Sequence, residues 1–247
     1  MKAFIFAAGL GTRLKPLTDK MPKALVPVAG KPLLQHVLEK LAKTGFDEYV
    51  INVHHFADMI EFWCHAAMMQ SDAFHISFSD ERSQLLETGG GIKHAAPLLK
   101  DDGHFLIHNV DILSNCDLQS FWQAGLSSDA QLLVSQRDTQ RYLIFDDDMR
   151  LVGWTNIKTG EVKSPYPAVR ENPRAYSLYA FAGIHMMDTH LIQLMDSFPD
   201  KFSIIDFYLN ICDRVAIRGY IQPDLRLMDV GKLDTLEQAE AFVAGLE

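Results

Sequence analysis

Cysteine is scarce in this chain. The 247 residues hold three (Cys64, Cys116 and Cys212), odd in number, far apart and without CxxC spacing. That usage argues against a disulfide scaffold and against a structural zinc site. Cations are in deficit too, 23 Lys and Arg against 32 Asp and Glu, for a formal net charge of −9. Nucleic acid and anionic membranes are held by a basic face, so neither is expected as a partner. No apolar run approaches the roughly 18 residues of a membrane span, and the stretch Met1–Gly9 is too short for a secretory core, so a cytoplasmic protein is expected. The chain also lacks HExxH, Gly-x-Ser-x-Gly and any Cys/His pattern that would mark a covalent nucleophile. Neither internal repeats nor low-complexity segments occur, and no hexapeptide period follows residue 230. What is present is an ordinary globular mix, 48% hydrophobic and 22% charged, long enough to bury a full core.

Lys2–Phe6 is a short apolar run ending at a glycine, the pattern of a buried strand. The segment from Ala7 to about Gly30 carries three prolines and three glycines and reads as a long functional loop. Pro32 opens a helix to about Thr44, with Leu33, Leu34, Val37, Leu38 and Leu41 on one face and Gly45 as its stop. Strands at Tyr49–Val53, His75–Phe78 and Phe105–His108 alternate with helices at Phe56–Met69 and Gly91–Leu99. Trp63 and the Met68-Met69 pair belong to helix packing. This alternation over residues 1–135 predicts right-handed crossovers and a mainly parallel sheet with helices on both faces. The second half changes character. A hairpin is expected at Tyr142–Phe145 and Leu151–Trp154 around Asp146-Asp147-Asp148, then a long strand at Ser177–Met186. Helices follow at Asp188–Ser197 and Ile204–Arg214, strands at Val215–Gln222 and Leu225–Val230, and a last helix near Thr235, where Thr235 and Gln238 have capping-box spacing. The expected organisation is one α/β domain over 1–247, with the alternating half over 1–135 and a second half over 136–247.

The strongest chemical signal follows the first strand: Gly9-Leu10-Gly11-Thr12-Arg13-Leu14-Lys15-Pro16-Leu17-Thr18, then Pro22-Lys23-Ala24-Leu25-Val26-Pro27-Val28. Two glycines allow close backbone approach to phosphate oxygens, Thr12 adds a hydroxyl, and Arg13 a forked cation. Lys23 returns a second cation. The glycines alone would fit any mobile loop. A P-loop is excluded because Gly-Lys-Ser/Thr is missing, and a dinucleotide fingerprint because Leu14 stands where its third glycine belongs. Three more segments stand out. Glu87-Thr88-Gly89-Gly90-Gly91 precedes a helical stretch, where glycine amides and a helix N-terminus favour an anion or a flat ring, although a flexible turn explains it too. Ile107-His108-Asn109-Val110-Asp111 ends a parallel strand, where open α/β sheets place functional groups and where a carboxylate can hold Mg²⁺ or simply cap a turn. Leu227-Met228-Asp229-Val230-Gly231 offers a second acid. His54 and His55 follow the second strand and are candidates for a place near a nucleotide.

Ala7 through Val28 resembles, nearly throughout, the signature of the sugar-1-phosphate nucleotidyltransferases. Glu87–Ile92 looks like the form found in N-acetylmuramate 1-phosphate uridylyltransferases. The segments at Asp111 and Asp229 resemble the family's two metal-binding acids, with Val110 and Lys232 as departures from the usual Gly and Thr. The resemblance implies a Rossmann-like, three-layer nucleotide-diphospho-sugar transferase fold. It implies Mg²⁺ on Asp111 and Asp229, and transfer of a nucleotidyl group from an NTP to a sugar 1-phosphate. Arg13, Lys23 and Asp111 would be catalytic. Ala8, Gly9, Gly11, Thr12, Arg13, Lys23, Gly89 and Gly90 would bind nucleotide, and Glu87, Asn109 and Gly183 the sugar. The family's Val-Glu-Lys-Pro segment is missing, its nearest text being Val169-Arg170-Glu171-Asn172-Pro173, so no sugar-binding lysine is carried over. UTP with N-acetylmuramate 1-phosphate is the favoured pair. A mannose- or heptose-1-phosphate guanylyltransferase and a non-catalytic nucleotide-sugar-binding protein are the alternatives. A monomer is expected.

Overall fold

The structure is a computed structural model that describes residues 1–68, 74–100 and 103–246. In chain order the strands are β1 (Lys2–Phe6), β2 (Pro27–Val28), β3 (Lys31–Pro32), β4 (Glu48–Val53), β5 (His75–Asp80), β6 (His104–Asn109), β7 (Ile112–Ser114), β8 (Ala130–Ser135), β9 (Arg141–Phe145), β10 (Leu151–Asn156), β11 (Glu161–Lys163), β12 (Ser177–Asp188), β13 (Ile217–Ile221) and β14 (Leu227–Asp229). The helices are α1 (Leu33–Lys43), α2 (Ala57–Met68), α3 (Glu87–His94), α4 (Ala96–Leu99), α5 (Leu118–Gly125), α6 (Pro167–Glu171), α7 (His190–Leu194), α8 (Ile204–Ile211) and α9 (Asp234–Ala244). Met69, the expected end of α2, lies outside the described residues.

The central sheet runs β5-β4-β1-β6-β12-β8-β13, and all its strands are parallel except β12. Residues Ser177–Tyr179 of β12 pair with β9, which carries the expected antiparallel hairpin and a further edge strand, β11. Strand residues point alternately to opposite faces, so an apolar strand can be buried on both. In β1, Ala3 and Ile5 enter a core with Leu34, Leu38, Ile60, Phe121 and Ala239, from α1, α2, α5 and α9. Phe4 points the other way, into a core with Ile92, Leu99, Leu191, Phe207 and Ile211, from α3, α4, α7 and α8. These are the three layers the alternation predicts. The three thiols are buried and unpaired.

Several local expectations change. The long loop is not structureless: it folds as three 3₁₀ turns, at Thr12–Leu14, Leu17–Asp19 and Lys23–Leu25, and ends in the two-residue strands β2 and β3. The glycine segment is not a loop before a helix but the first turns of α3, which ends at His94 and not at Leu99. The Thr235–Gln238 capping box does not form. Instead the Thr235 hydroxyl bonds back to the Lys232 carbonyl at 2.7 Å, while Leu233 takes the cap position.

Candidate active site

A cleft of about 420 Å³ opens at the C-terminal ends of β1, β4 and β6. This edge is where ligands enter open α/β sheets. Its first wall is the segment after β1. Gly11 sits at φ +61, where a side chain would be strained and would also meet Thr18 Cγ2 at 2.8 Å. The Thr18 hydroxyl donates to the Gly11 carbonyl at 2.8 Å and so fixes the turn that presents Thr12 and Arg13. Ala8, Gly9, Gly11, Thr12, Arg13 and Lys23 all line the cleft.

The acidic pair is assembled by strand pairing. In β14–β7, Asp229 lies opposite Ile112, and the Val230 amide donates to the Asp111 carbonyl at 2.8 Å. Two acids distant in sequence thereby become neighbours. Lys23, nearly buried, forms an ion pair and hydrogen bond with Asp111. Arg13 completes the group: a methyl placed on Gly231 would fall 2.8 Å from Asp229 Oδ1 and 2.9 Å from Arg13 Nη2. Only glycine lets the acid and the guanidinium close around that backbone. Burial foremost, then the negative charge of Asp111, raises the Asp229 pKa, while Lys23, Arg13 and Arg137 pull it down. Asp229 Oδ1 is buried and makes no hydrogen bond.

An orphaned carboxylate oxygen beside a second carboxylate is a poor resting arrangement unless a cation joins it. The pair fits a hard divalent ion such as Mg²⁺, which takes one or two protein carboxylates and completes its shell with phosphate oxygens and water. Among the described residues, no cluster of three or more His, Cys, Asp or Glu forms a metal site. Any such ion would take its further ligands from substrate and water.

The opposite wall holds a buried relay that the motifs did not reveal. Asn52 Oδ1 accepts from the Ala7 and Ala8 amides at 2.7 and 3.2 Å, and Asn52 Nδ2 donates to Glu81 Oε1 at 2.7 Å. Glu81 Oε2 in turn accepts from the Leu86 amide at 3.1 Å, just before α3. Asn52 and Glu81 are buried yet line the cleft, joined there by Leu85 and Thr88. The signal available in the sequence was Asn52 itself, a polar residue inside the apolar strand Tyr49–Val53. Because Asn52 occupies the Ala8 amide, that donor is not free for a phosphate, and Ala8 contributes shape only.

Other expected residues are redistributed. Gly89 and Gly90 do not line the cleft. Their amides donate to the Phe202 carbonyl at 2.9 and 3.2 Å. A Cβ at Gly89 would stand 2.3 Å from the Phe202 ring, and one at Gly90 would stand 2.1 Å from the Asp200 carbonyl oxygen. These glycines allow α3 to pack against the 200–202 segment and present no amide to a base. Glu87, held at φ +62, lies with Glu81 and Leu85 on the β5 side, whereas Asn109 lies on the β6 side. Gly183, at φ +76, backs onto Asn109, whose Nδ2 would be 2.8 Å from an added Cβ, and lies behind the cleft wall. The three expected sugar residues are therefore split between two sides. His54 bonds through Nδ1 to the Glu81 carbonyl at 2.7 Å and the His55 ring lies tilted against that of Phe56, and neither lines the cleft.

A family model described as nucleotidyl transferase matches residues 2–245. The N-acetylmuramate alpha-1-phosphate uridylyltransferase of Caulobacter vibrioides is 47% identical over 130 residues, 52% of this chain and 50% of that protein. A mannose-1-phosphate guanyltransferase of Gibberella zeae is 37% identical over 118 residues, 47% of this chain and 31% of that one. The matched stretch thus spans about half the length of the first relative and about a third of the second. A UDP-glucose pyrophosphorylase solved with UDP-glucose superposes with a TM-score of 0.77 at 17% identity, covering 100% of this chain and 99% of that one, a likeness of fold alone. Strand order, the segment after β1 and a match running almost from end to end agree: this chain belongs to the nucleotidyl transferase family.

Proposed function

We propose that the cleft joins a sugar 1-phosphate to a nucleoside triphosphate, giving a nucleotide sugar and pyrophosphate. A sugar-phosphate oxygen attacks the α-phosphorus, the bond from that phosphorus to the bridging oxygen breaks, and pyrophosphate leaves from the opposite face. A phosphate anion is already a competent nucleophile, so no general base is required. The barrier is repulsion between two anions, and catalysis reduces to alignment and charge neutralisation. The observation that carries this reading is the convergence of Arg13 and Asp229 on Gly231 beside the Lys23–Asp111 ion pair.

In this reading Arg13 neutralises the departing β,γ-phosphates and Lys23 faces the α-phosphate or its attacker. Asp111 and Asp229 would hold Mg²⁺, which when bound supplies positive charge to the phosphate oxygens. Gly9, Gly11 and Thr12 shape the triphosphate site, with Ala8 behind them, and Glu87 moves to the nucleotide side. Asn109 and the Gly183 strand face the sugar. Residues 1–135, Asn109 apart, serve the nucleotide, and 136–247 serve the acceptor and supply the second acid. UTP and N-acetylmuramate 1-phosphate are the preferred pair, supported by the 47% identity to an enzyme of that name. GTP with mannose 1-phosphate is the second reading, favoured by the 37% identity to a guanyltransferase. We place the enzyme in the cytoplasm as a monomer; among the described residues no helix is long and apolar enough to cross a membrane. The test is a matrix of four NTPs against a panel of sugar 1-phosphates, read by pyrophosphate release with and without Mg²⁺. The reading expects Mg²⁺-dependent release with one pair dominant; no release from any pair overturns it.

A further inference from the structure

One cation beside the site has no place in that account. Arg137 follows β8, whose C-terminal end opens on the same edge of the sheet as that of β6 because the two strands run parallel on either side of β12. The residue is exposed and anchored by one bond, from Nη2 to the Phe181 carbonyl at 3.1 Å, two residues before Gly183. Among the described residues it forms no ion pair, although acids outnumber cations in the chain. Its charge is felt at Asp229, alongside those of Arg13 and Lys23. The position is also directional. Arg13, Lys23 and the Asn52–Glu81 relay lie toward β1, β4 and β5, the proposed nucleotide side. Arg137 lies beyond β12 on the other side. Two strand spacings, roughly 10 Å, separate β6 from β8. That is about the span of a substituted hexose, well beyond the reach of a phosphate on Asp111. A guanidinium with its fork largely unused is suited to a carboxylate or phosphate held bidentately.

We propose that Arg137 is a specificity-determining residue that receives a carboxylate carried on the sugar ring of the acceptor, so that the site selects sugar 1-phosphates with a second anionic group. The proposal rests on the nucleotidyl-transfer reading above and deepens it. N-acetylmuramate 1-phosphate bears such a group on its lactyl ether; N-acetylglucosamine 1-phosphate is the same sugar phosphate without it.

The experiment compares kcat/KM for these two acceptors at saturating NTP and Mg²⁺ in the wild type, R137K, R137A and R137E, with thermal melting as the check on folding. The ratio of carboxylated to plain acceptor should fall at least about tenfold in R137A, mainly through KM, and further in R137E, where like charges oppose. R137K should lie between wild type and R137A, because a point charge keeps attraction without the fork. A ratio unchanged within about twofold in folded R137A and R137E overturns the role of Arg137 while leaving nucleotidyl transfer intact. A wild-type protein that releases pyrophosphate with another sugar 1-phosphate but with neither of these two acceptors overturns the carboxylate-acceptor proposal while leaving nucleotidyl transfer intact, and one that releases none with any acceptor of the panel overturns the transfer reading.

Discussion

Asp229 carries a charge that the fold would rather not hold. Burial and the neighbouring Asp111 both oppose its ionisation, so its pKa is raised and its charged form is a cost to stability near neutral pH. Asp229→Asn removes that cost. The expected outcome is a melting temperature equal to or above that of the wild type, together with turnover lowered by at least about 10². Pyrophosphate release and a thermal melt on the same preparation check both halves; a variant with normal turnover removes Asp229 from the site. Arg13→Ala should lose a similar factor with a melt at or slightly below that of the wild type, since Arg13 packs no core but offsets the Asp229 charge. Gly231→Ala tests the same spot sterically. Its methyl would press on both Asp229 Oδ1 and Arg13 Nη2, so kcat should fall more than stability does.

At the scale of elements, α3 is where the sequence misleads most. Three consecutive glycines read naturally as a flexible loop, because glycine is a poor helix former. The helix forms anyway because Phe202, the Asp200 carbonyl and Glu81 crowd it so closely that no side chain fits at Gly89, Gly90 or Gly91. Tertiary contact overrides propensity here, and the contacts to Phe202 and Asp200 join residues more than a hundred positions apart. Gly89→Ala should therefore destabilise by roughly 1–3 kcal/mol, an overpacking cost. Adding Phe202→Leu should recover part of it, a coupling read from urea midpoints in a double-mutant cycle. The relay behind the segment after β1 follows the same logic. Asn52→Ala leaves two buried amides without their acceptor and frees the Glu81 carboxylate, which should cost about 1–3 kcal/mol and raise KM for the nucleotide. By contrast, Arg13, Lys23, Asp111 and Asp229 could be singled out as candidates before any packing was known, because they sit in short segments that resemble a family signature. Asn52 and Arg137 were not, since each matters only through a strand that lies beside it in space.

The layered architecture was legible for a simple reason. Apolar strands alternating with amphipathic helices allow few arrangements, and doubly covered parallel strands are the usual one. The order β6-β12-β8, with its single antiparallel strand, was not legible, because nothing local fixes which neighbour a strand chooses. That strand carries a second consequence for the molecule as a whole. His185, on β12, is fully buried with its Nδ1 2.7 Å from the Tyr208 hydroxyl, and burial pushes its pKa down to about 3. A histidine kept neutral when folded but free to protonate when unfolded supports the fold above the unfolded value of about 6.5. That support is lost as pH falls from there toward 3, at a slope of order 1.4 kcal/mol per pH unit. Urea midpoints at pH 7 and pH 5 should show the loss, and His185→Gln should flatten it; identical slopes in the two proteins would refute the assignment.

The meeting of β7 with β14 has a consequence for synthesis. A chain emerging from the ribosome completes the turns after β1 and Asp111 long before Asp229 exists. The two acids cannot meet until that final short strand has been made and has paired. In the proposed reading a nascent polypeptide stays inactive until residue 229 has been made and β14 has paired with β7.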